Sequence, residues 1–193
     1  MGARTRLIDT AANLLAEEGV AAVTLRGIAK AAGVSHGAPL RHFTGRAALL
    51  SAVATRGYTE LLDRGTGLPA TTPRERLIAA CHGYLDFALA NPAMFELMFR
   101  RDLIDPADPE LTRVSSAVFD FFAVLVGDVQ DDGWHPATDP RLLAASLWAS
   151  LHGLAQLWLW GGLAGASFAP SPESALAVTL DAYLGPVSGI PSP

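Results

Sequence analysis

A chain of 193 residues, half of them hydrophobic, is long enough to bury a core and too apolar to be a disordered tail. Its single cysteine, Cys81, excludes an internal disulfide, and the formal net charge of −5, taken as a whole, argues against a nucleic-acid partner. The distribution reverses that inference: residues 1–56 hold seven Arg or Lys against three acids, a net of +4, while residues 57–193 hold the other seven against sixteen, a net of −9.

In chain order, residues 4–18 read as an amphipathic helix with Leu7, Ala11, Leu14 and Leu15 on one face, ended by Gly19. Thr24 can cap a short second helix in which Leu25, Ile28, Ala29 and Ala32 form an apolar face and Arg26 and Lys30 a basic edge. Gly33 supplies a left-handed stop, Val34 plugs the turn, and Ser35 is a suitable cap for a third helix. That helix, HGAPLRHF, is poor in propensity because of Gly37 and Pro39, so it must be short or tightly wound and depend on packing by Phe43 and Val34. Thr44 then caps a longer helix carrying Leu49, Leu50, Val53, Leu61 and Leu62, with Gly57 a possible weak point. Residues 63–73 read as a loop.

Further helices are expected at about 74–90, 92–101, 110–127, 140–160 and 173–184, with 161–172 a loop and 185–193 a frayed tail. Nothing reads as a strand. The fold class is therefore all-α, about nine helices, with a three-helix head at 1–46 and a larger helical body at 47–184. A helix, a tight turn containing Gly and a second short helix form a helix-turn-helix, whose second helix can lie in a major groove.

The head resembles the DNA-binding domain of the TetR (tetracycline-repressor) family of bacterial transcription regulators, through LIDTAANLLAEEGV, TLRGIAKAAGVS, the closing RHF and GRAALL. The resemblance implies an all-helical homodimer that represses a promoter until a small ligand loosens its hold. Carried over by position, Thr24 and Arg26 would meet phosphates, Ser35, His36, Gly37, Ala38, Pro39 and Leu40 would face the groove, and Arg41, His42 and Arg46 would anchor the DNA backbone. Against this stand solvated surface charge for Arg41 and Arg46 and a structural brace for His42. Leu40 replaces the Tyr common in the family, and Ala47 the Glu of its capping box. A dimer would read a near-palindrome in double-stranded DNA with half-sites about one helical turn apart, or a multiple of it.

The body resembles one subgroup of the family through Trp148, His152 and Gly153 and through YLDFALANPAMFELMF. Phe87, Phe95, Met98, Phe99, Phe122, Trp148 and His152 are candidates to line an apolar effector cavity, or equally plain core, and His152 a satisfied core histidine. No charged residue occurs between Arg141 and Glu173. A membrane span fits that length, but His152, Gln156, three serines up to Ser167 and a Gly-rich second half favour a protein-wrapped helix, and the resemblance implies dimerisation through helices 140–160 and 173–184. The five histidines lack metal-ligand spacing, and no nucleophile elbow or phosphate-cradling loop is present, so no enzyme, metal or cofactor is expected. Met1–Arg6 is charged with no apolar stretch behind it, so a cytoplasmic location is expected. The competing function is a DNA-binding dimer with no ligand.

Overall fold

A computed structural model describes residues 2–67 and 72–185, and every described element is helical. The helices are α1 (Ala3–Glu18), α2 (Leu25–Ala31), a 3-10 turn (Pro39–Arg41), α3 (Arg46–Thr66), α4 (Pro73–Ala90), α5 (Pro92–Phe99), α6 (Pro109–Gln130), α7 (Pro140–Leu159), α8 (Gly162–Ser167) and α9 (Pro172–Leu184). They form two compact units: Met1–Asp63 with Ala90–Val118, and Arg64–Leu89 with Phe119–Pro193.

In the first unit, Leu7, Ala11 and Leu15 of α1 are buried, as are Ile28 and Ala29 of α2 and Leu49, Leu50 and Val53 of α3. The expected apolar faces are thus real. Gly57 is a close-packing position in α3 and no weak point: a Cβ there would lie 2.8 Å from the sulfurs of both Met94 and Met98, so the missing side chain lets α5 seat against α3. Two polar contacts tie the same helix down. The Tyr58 hydroxyl donates to the Met98 carbonyl at 2.9 Å, and fully buried Ser51 accepts from the Asp105 amide at 2.8 Å.

In the second unit, Leu143, Ala144, Leu147, Leu151 and Ala155 of α7 are buried, with Leu176, Leu180 and Leu184 of α9. Asp139 caps α7 by accepting from the Arg141 and Leu142 amides, and Ser171 and Ser174 form a reciprocal cap on α9. The other end of α9 is closed by side chains. Arg74 donates to the Leu184 and Gly185 carbonyls, both at 2.6 Å, and the Trp134 indole donates to the Tyr183 carbonyl at 2.9 Å.

Three expected boundaries differ. The stretch 63–73, rich in Gly, Pro and Thr, reads as a loop, but α3 continues through Gly65, on which the Phe121 ring packs so closely that a Cβ would lie 2.6 Å from it. The remainder at 68–71 lies outside the described residues. The stretch 161–172 contains the short helix α8, entered through Gly161 in the left-handed region. Of the expected tail, Gly185 is described, its carbonyl held by Arg74, and 186–193 lies outside the described residues.

Candidate nucleic-acid interface

The approach to α2 is a tight turn, with Ala22 N–H donating to the Gly19 carbonyl and Thr24 N–H to the Ala22 carbonyl. Thr24 caps α2 as its sequence implies, its hydroxyl oxygen accepting from the Gly27 amide at 2.9 Å. Gly27 is required by this closeness: a Cβ at that position would lie 2.7 Å from the Ala22 carbonyl oxygen. Arg26 and Lys30 project into solvent from α2. The helix stops at Gly33, whose φ of +65° is the left-handed conformation expected of it.

The second half of the motif departs from an ordinary helix. Only Pro39–Arg41 is helical, as a single 3-10 turn, preceded by a turn closed from the Ala38 amide to the Ser35 carbonyl at 2.9 Å. Gly37 and Pro39 account for it: one costs backbone entropy and the other removes an amide, so a longer α-helix has no local advantage here. Packing comes from Phe43, which is buried with the Arg4 guanidinium 5.4 Å above its ring, and not from Val34, which is 40 % exposed.

Ser35, His36, Gly37, Leu40, Arg41 and His42 are exposed together along this segment, Leu40 to 61 %. Two of the expected contacts are placed otherwise. Pro39, expected to face the groove, is buried at the start of the 3-10 turn. Ala38 is half-buried, and with Val34 and His42 it walls an open cleft of about 310 Å³ whose other side is Arg6, Thr10 and Asn13 of α1. Arg46 is half-buried, with Nε donating to the Val23 carbonyl at 2.8 Å and Nη2 to the Val20 carbonyl at 2.5 Å.

Most exposed cations elsewhere are paired with carboxylates, Arg101 being an exception. Arg76, Arg100, Arg113 and Arg141 each hold a carboxylate, and Arg56 holds Asp9. The side chains of Arg6, Arg26, Lys30 and Arg41 have no ion pair and no hydrogen bond among the described residues. Unpaired, exposed cations around a helix-turn-helix can meet phosphates with no internal salt bridge to break. Arg6 and Lys30 lie outside the contacts assigned from sequence; the signal that finds them is exposure without a partner.

The candidate effector residues are distributed over both units. In the first unit Phe95 and Met98 are buried, and Phe95 meets Phe99 edge-on at 5.3 Å, an arrangement of core side chains. In the second unit Phe87 is fully buried, the Arg64 guanidinium lies 5.6 Å above its ring, and Phe122 is half-buried. Trp148 and His152, one turn apart on α7, are joined by Tyr84 of α4, the first residue of the stretch YLDFALANPAMFELMF. The Trp148 indole donates to the Tyr84 hydroxyl at 3.1 Å, and that oxygen is 2.9 Å from His152 Nδ1. Because the indole can only donate, the tyrosine proton can go to Nδ1 when the imidazole is neutral.

Burial lowers the His152 pKa below its usual value, opposed by a hydrogen bond to the Gln156 side chain. A histidine depressed in this way contributes stability that is complete above the unfolded value and drains as pH falls through it towards the folded one. The melting temperature of the chain should therefore fall from about pH 7 to about pH 5 more steeply than that of a His152→Gln variant. Superimposable pH profiles would contradict the role given to His152.

Among the described residues no group of three or more His, Cys, Asp or Glu is placed to hold a metal. α7 is the one described helix long and apolar enough to cross a membrane by length and composition, and a third of that window is buried.

An all-helical chain with a basic helix-turn-helix at its start has the form of a DNA-binding regulator. Residues 7–53 match the bacterial regulatory proteins of the tetR family, and residues 77–183 match the tetracyclin repressor-like C-terminal domain. The chain belongs to the TetR family, whose members are DNA-binding transcription regulators and not enzymes. It is 31% identical over 93 residues to an uncharacterized HTH-type transcriptional regulator, YobS, of Bacillus subtilis, covering 47% of this chain and 48% of that protein. It is 29% identical over 100 residues to the HTH-type transcriptional repressor KstR2 of Rhodococcus jostii, covering 49% of each. The chain thus spans about half the length of the curated relatives it matches. A solved protein of unknown function from Rhodococcus sp. RHA1 has a TM-score of 0.80 at 32% identity, over 95% of this chain and 94% of that one. The fatty acid degradation regulator FadR of Bacillus halodurans shares the fold, with a TM-score of 0.75 at 17% identity, over 97% of this chain and 98% of that one.

Proposed function

We propose that this chain is a homodimeric transcription repressor that binds a near-palindromic operator and is released by a largely apolar small molecule. Residues 1–46 read the DNA and residues 47–184 dimerise and hold the effector. The observation that carries the reading is the set of unpaired cations around the helix-turn-helix, in a chain whose remaining surface is acidic. Thr24, Arg26 and Arg41 meet phosphates, with Arg6 and Lys30 beside them. Ser35, His36, Gly37, Leu40 and His42 face the groove, where His36 has the hydrogen-bonding capacity to read a base and Leu40 offers only apolar contact. The repressor KstR2 among the relatives supports the direction of regulation.

Dimerisation is supported by the outer face of α7, where Leu142, Ser146, Ala149, Leu157 and Trp160 are exposed at helical spacing with no charge among them. On α9, which packs against α7, Ala177, Val178 and Ala182 are also exposed, with Asp181 among them. Such a stripe suits a self-complementary contact about a two-fold axis, and gives the charge-free segment a role without a membrane.

Titration of the purified chain into a labelled duplex of random sequence, at rising salt, tests the DNA-binding reading. Binding at low salt that weakens steeply as salt rises is expected; no binding at low salt would overturn it. Sedimentation should give twice the chain mass of 20.2 kDa, and Ala149→Glu should give the single mass. Thermal shift against a panel of apolar metabolites separates an effector-responsive repressor from the alternative, a ligand-independent dimer, because an effector bound by the fold raises its melting temperature.

A further inference from the structure

We infer that Arg46 is a positioning residue for DNA recognition, clamping the turn between α1 and α2 and so fixing the N-terminus of α2 that carries Thr24 and Arg26. The inference rests on the DNA-binding reading and assigns Arg46 a role different from the phosphate contact its position suggests.

The guanidinium presents its donors in a rigid planar fork. Here Nε reaches the Val23 carbonyl at 2.8 Å and Nη2 the Val20 carbonyl at 2.5 Å, across more than twenty residues of chain. The Val23 carbonyl belongs to the peptide bond that leads directly into Thr24, the cap of α2. Arg46 therefore holds the peptide plane from which α2 departs. The surroundings leave no slack to absorb a shift. Val23 is fully buried, the Val20 carbonyl also accepts from the Val23 amide at 3.3 Å, and the Ala22 carbonyl lies against the α-carbon of Gly27, where a Cβ would be only 2.7 Å away. Arg26 lies two residues beyond the cap, so a displaced turn carries it with it. Lysine at this position would keep the charge but replace the two-pronged fork with one ammonium.

The clamp and the phosphate contact make opposite demands on charge and geometry. The test uses the full chain with a duplex recovered from a random pool, comparing wild type, Arg46→Lys and Arg46→Ala at several salt concentrations, each checked by circular dichroism to be folded at the assay temperature. A positioning role predicts that both variants lose about tenfold or more in affinity and lower the slope of log affinity against log salt alike, because Arg26 leaves its phosphate in each and the charge kept by lysine does not restore it. It also predicts that Arg26→Ala costs less in an Arg46→Ala background than in wild type, because an unclamped Arg26 is already misplaced. If Arg46→Ala does not fold, Arg46→Lys carries both comparisons. The inference is overturned if Arg46→Lys binds as wild type while Arg46→Ala lowers the slope by about 0.9 per lost contact, as for a phosphate anchor. It is overturned equally if both variants bind as wild type, or if the Arg26 and Arg46 losses are additive, as for a residue that only stabilises the fold. A wild-type chain that binds no duplex overturns the DNA-binding reading and this inference together.

Discussion

Replacing Arg26 and Arg41 together by alanine should weaken operator binding by about three orders of magnitude at about 0.1 M salt and flatten its salt dependence. Both side chains are exposed, and neither has a partner among the described residues, so their removal breaks nothing inside the fold. The loss belongs to the complex. Each phosphate neutralised by an arginine releases condensed counterions and contributes about 0.9 to the slope of log affinity against log salt. Two such contacts per protomer, doubled in a dimer, give the stated loss, while the melting temperature of the free protein should change little because surface substitutions of this kind cost within about 0.5 kcal/mol. An unchanged salt slope would remove Arg26 and Arg41 from the phosphate contacts. A large fall in melting temperature would show that they support the fold.

Truncation of Phe95 to alanine should destabilise the chain by about 3–5 kcal/mol, read as a lower midpoint in urea denaturation. Phe95 is 1% exposed in the first unit and meets Phe99 edge-on at 5.3 Å, so removal of the ring leaves a hole among groups that can close on it only partly. The size of the effect decides between the two roles open to this residue from sequence. A ring lining an effector cavity loses mainly ligand affinity when truncated, whereas a core ring removes a large share of the roughly 5–15 kcal/mol that hold a domain folded. A loss below about 1 kcal/mol would return Phe95 to the effector site.

What could be seen in the sequence was local. The Thr24 cap, the left-handed Gly33 and the buried faces of α1, α2 and α3 follow from residue type and spacing, and each stands where it was expected. The differences arise where distant parts of the chain meet. Gly57 reads as a helix weak point and Gly65 as part of a loop until Met94 and Met98 are seen packed against the first and Phe121 against the second. Pro39 is assigned to the groove by carry-over from the family's positions, whereas here it is buried at the start of a 3-10 turn. Arg46 shows the limit most clearly, since nothing local marks the carbonyls of Val20 and Val23 as its partners. Trp148 and His152 stand out through the resemblance to one subgroup of the family, but nothing local marks Tyr84 as the residue that joins them.

The most direct test of the central claim is selection of bound sequences from a pool of random double-stranded DNA with the intact chain at near-physiological salt. The account predicts enrichment of one near-palindromic motif, with half-sites about one helical turn apart or a multiple of it, as two recognition segments related by a two-fold axis require. Recovery of no enriched motif, or of a single half-site without symmetry, would contradict it.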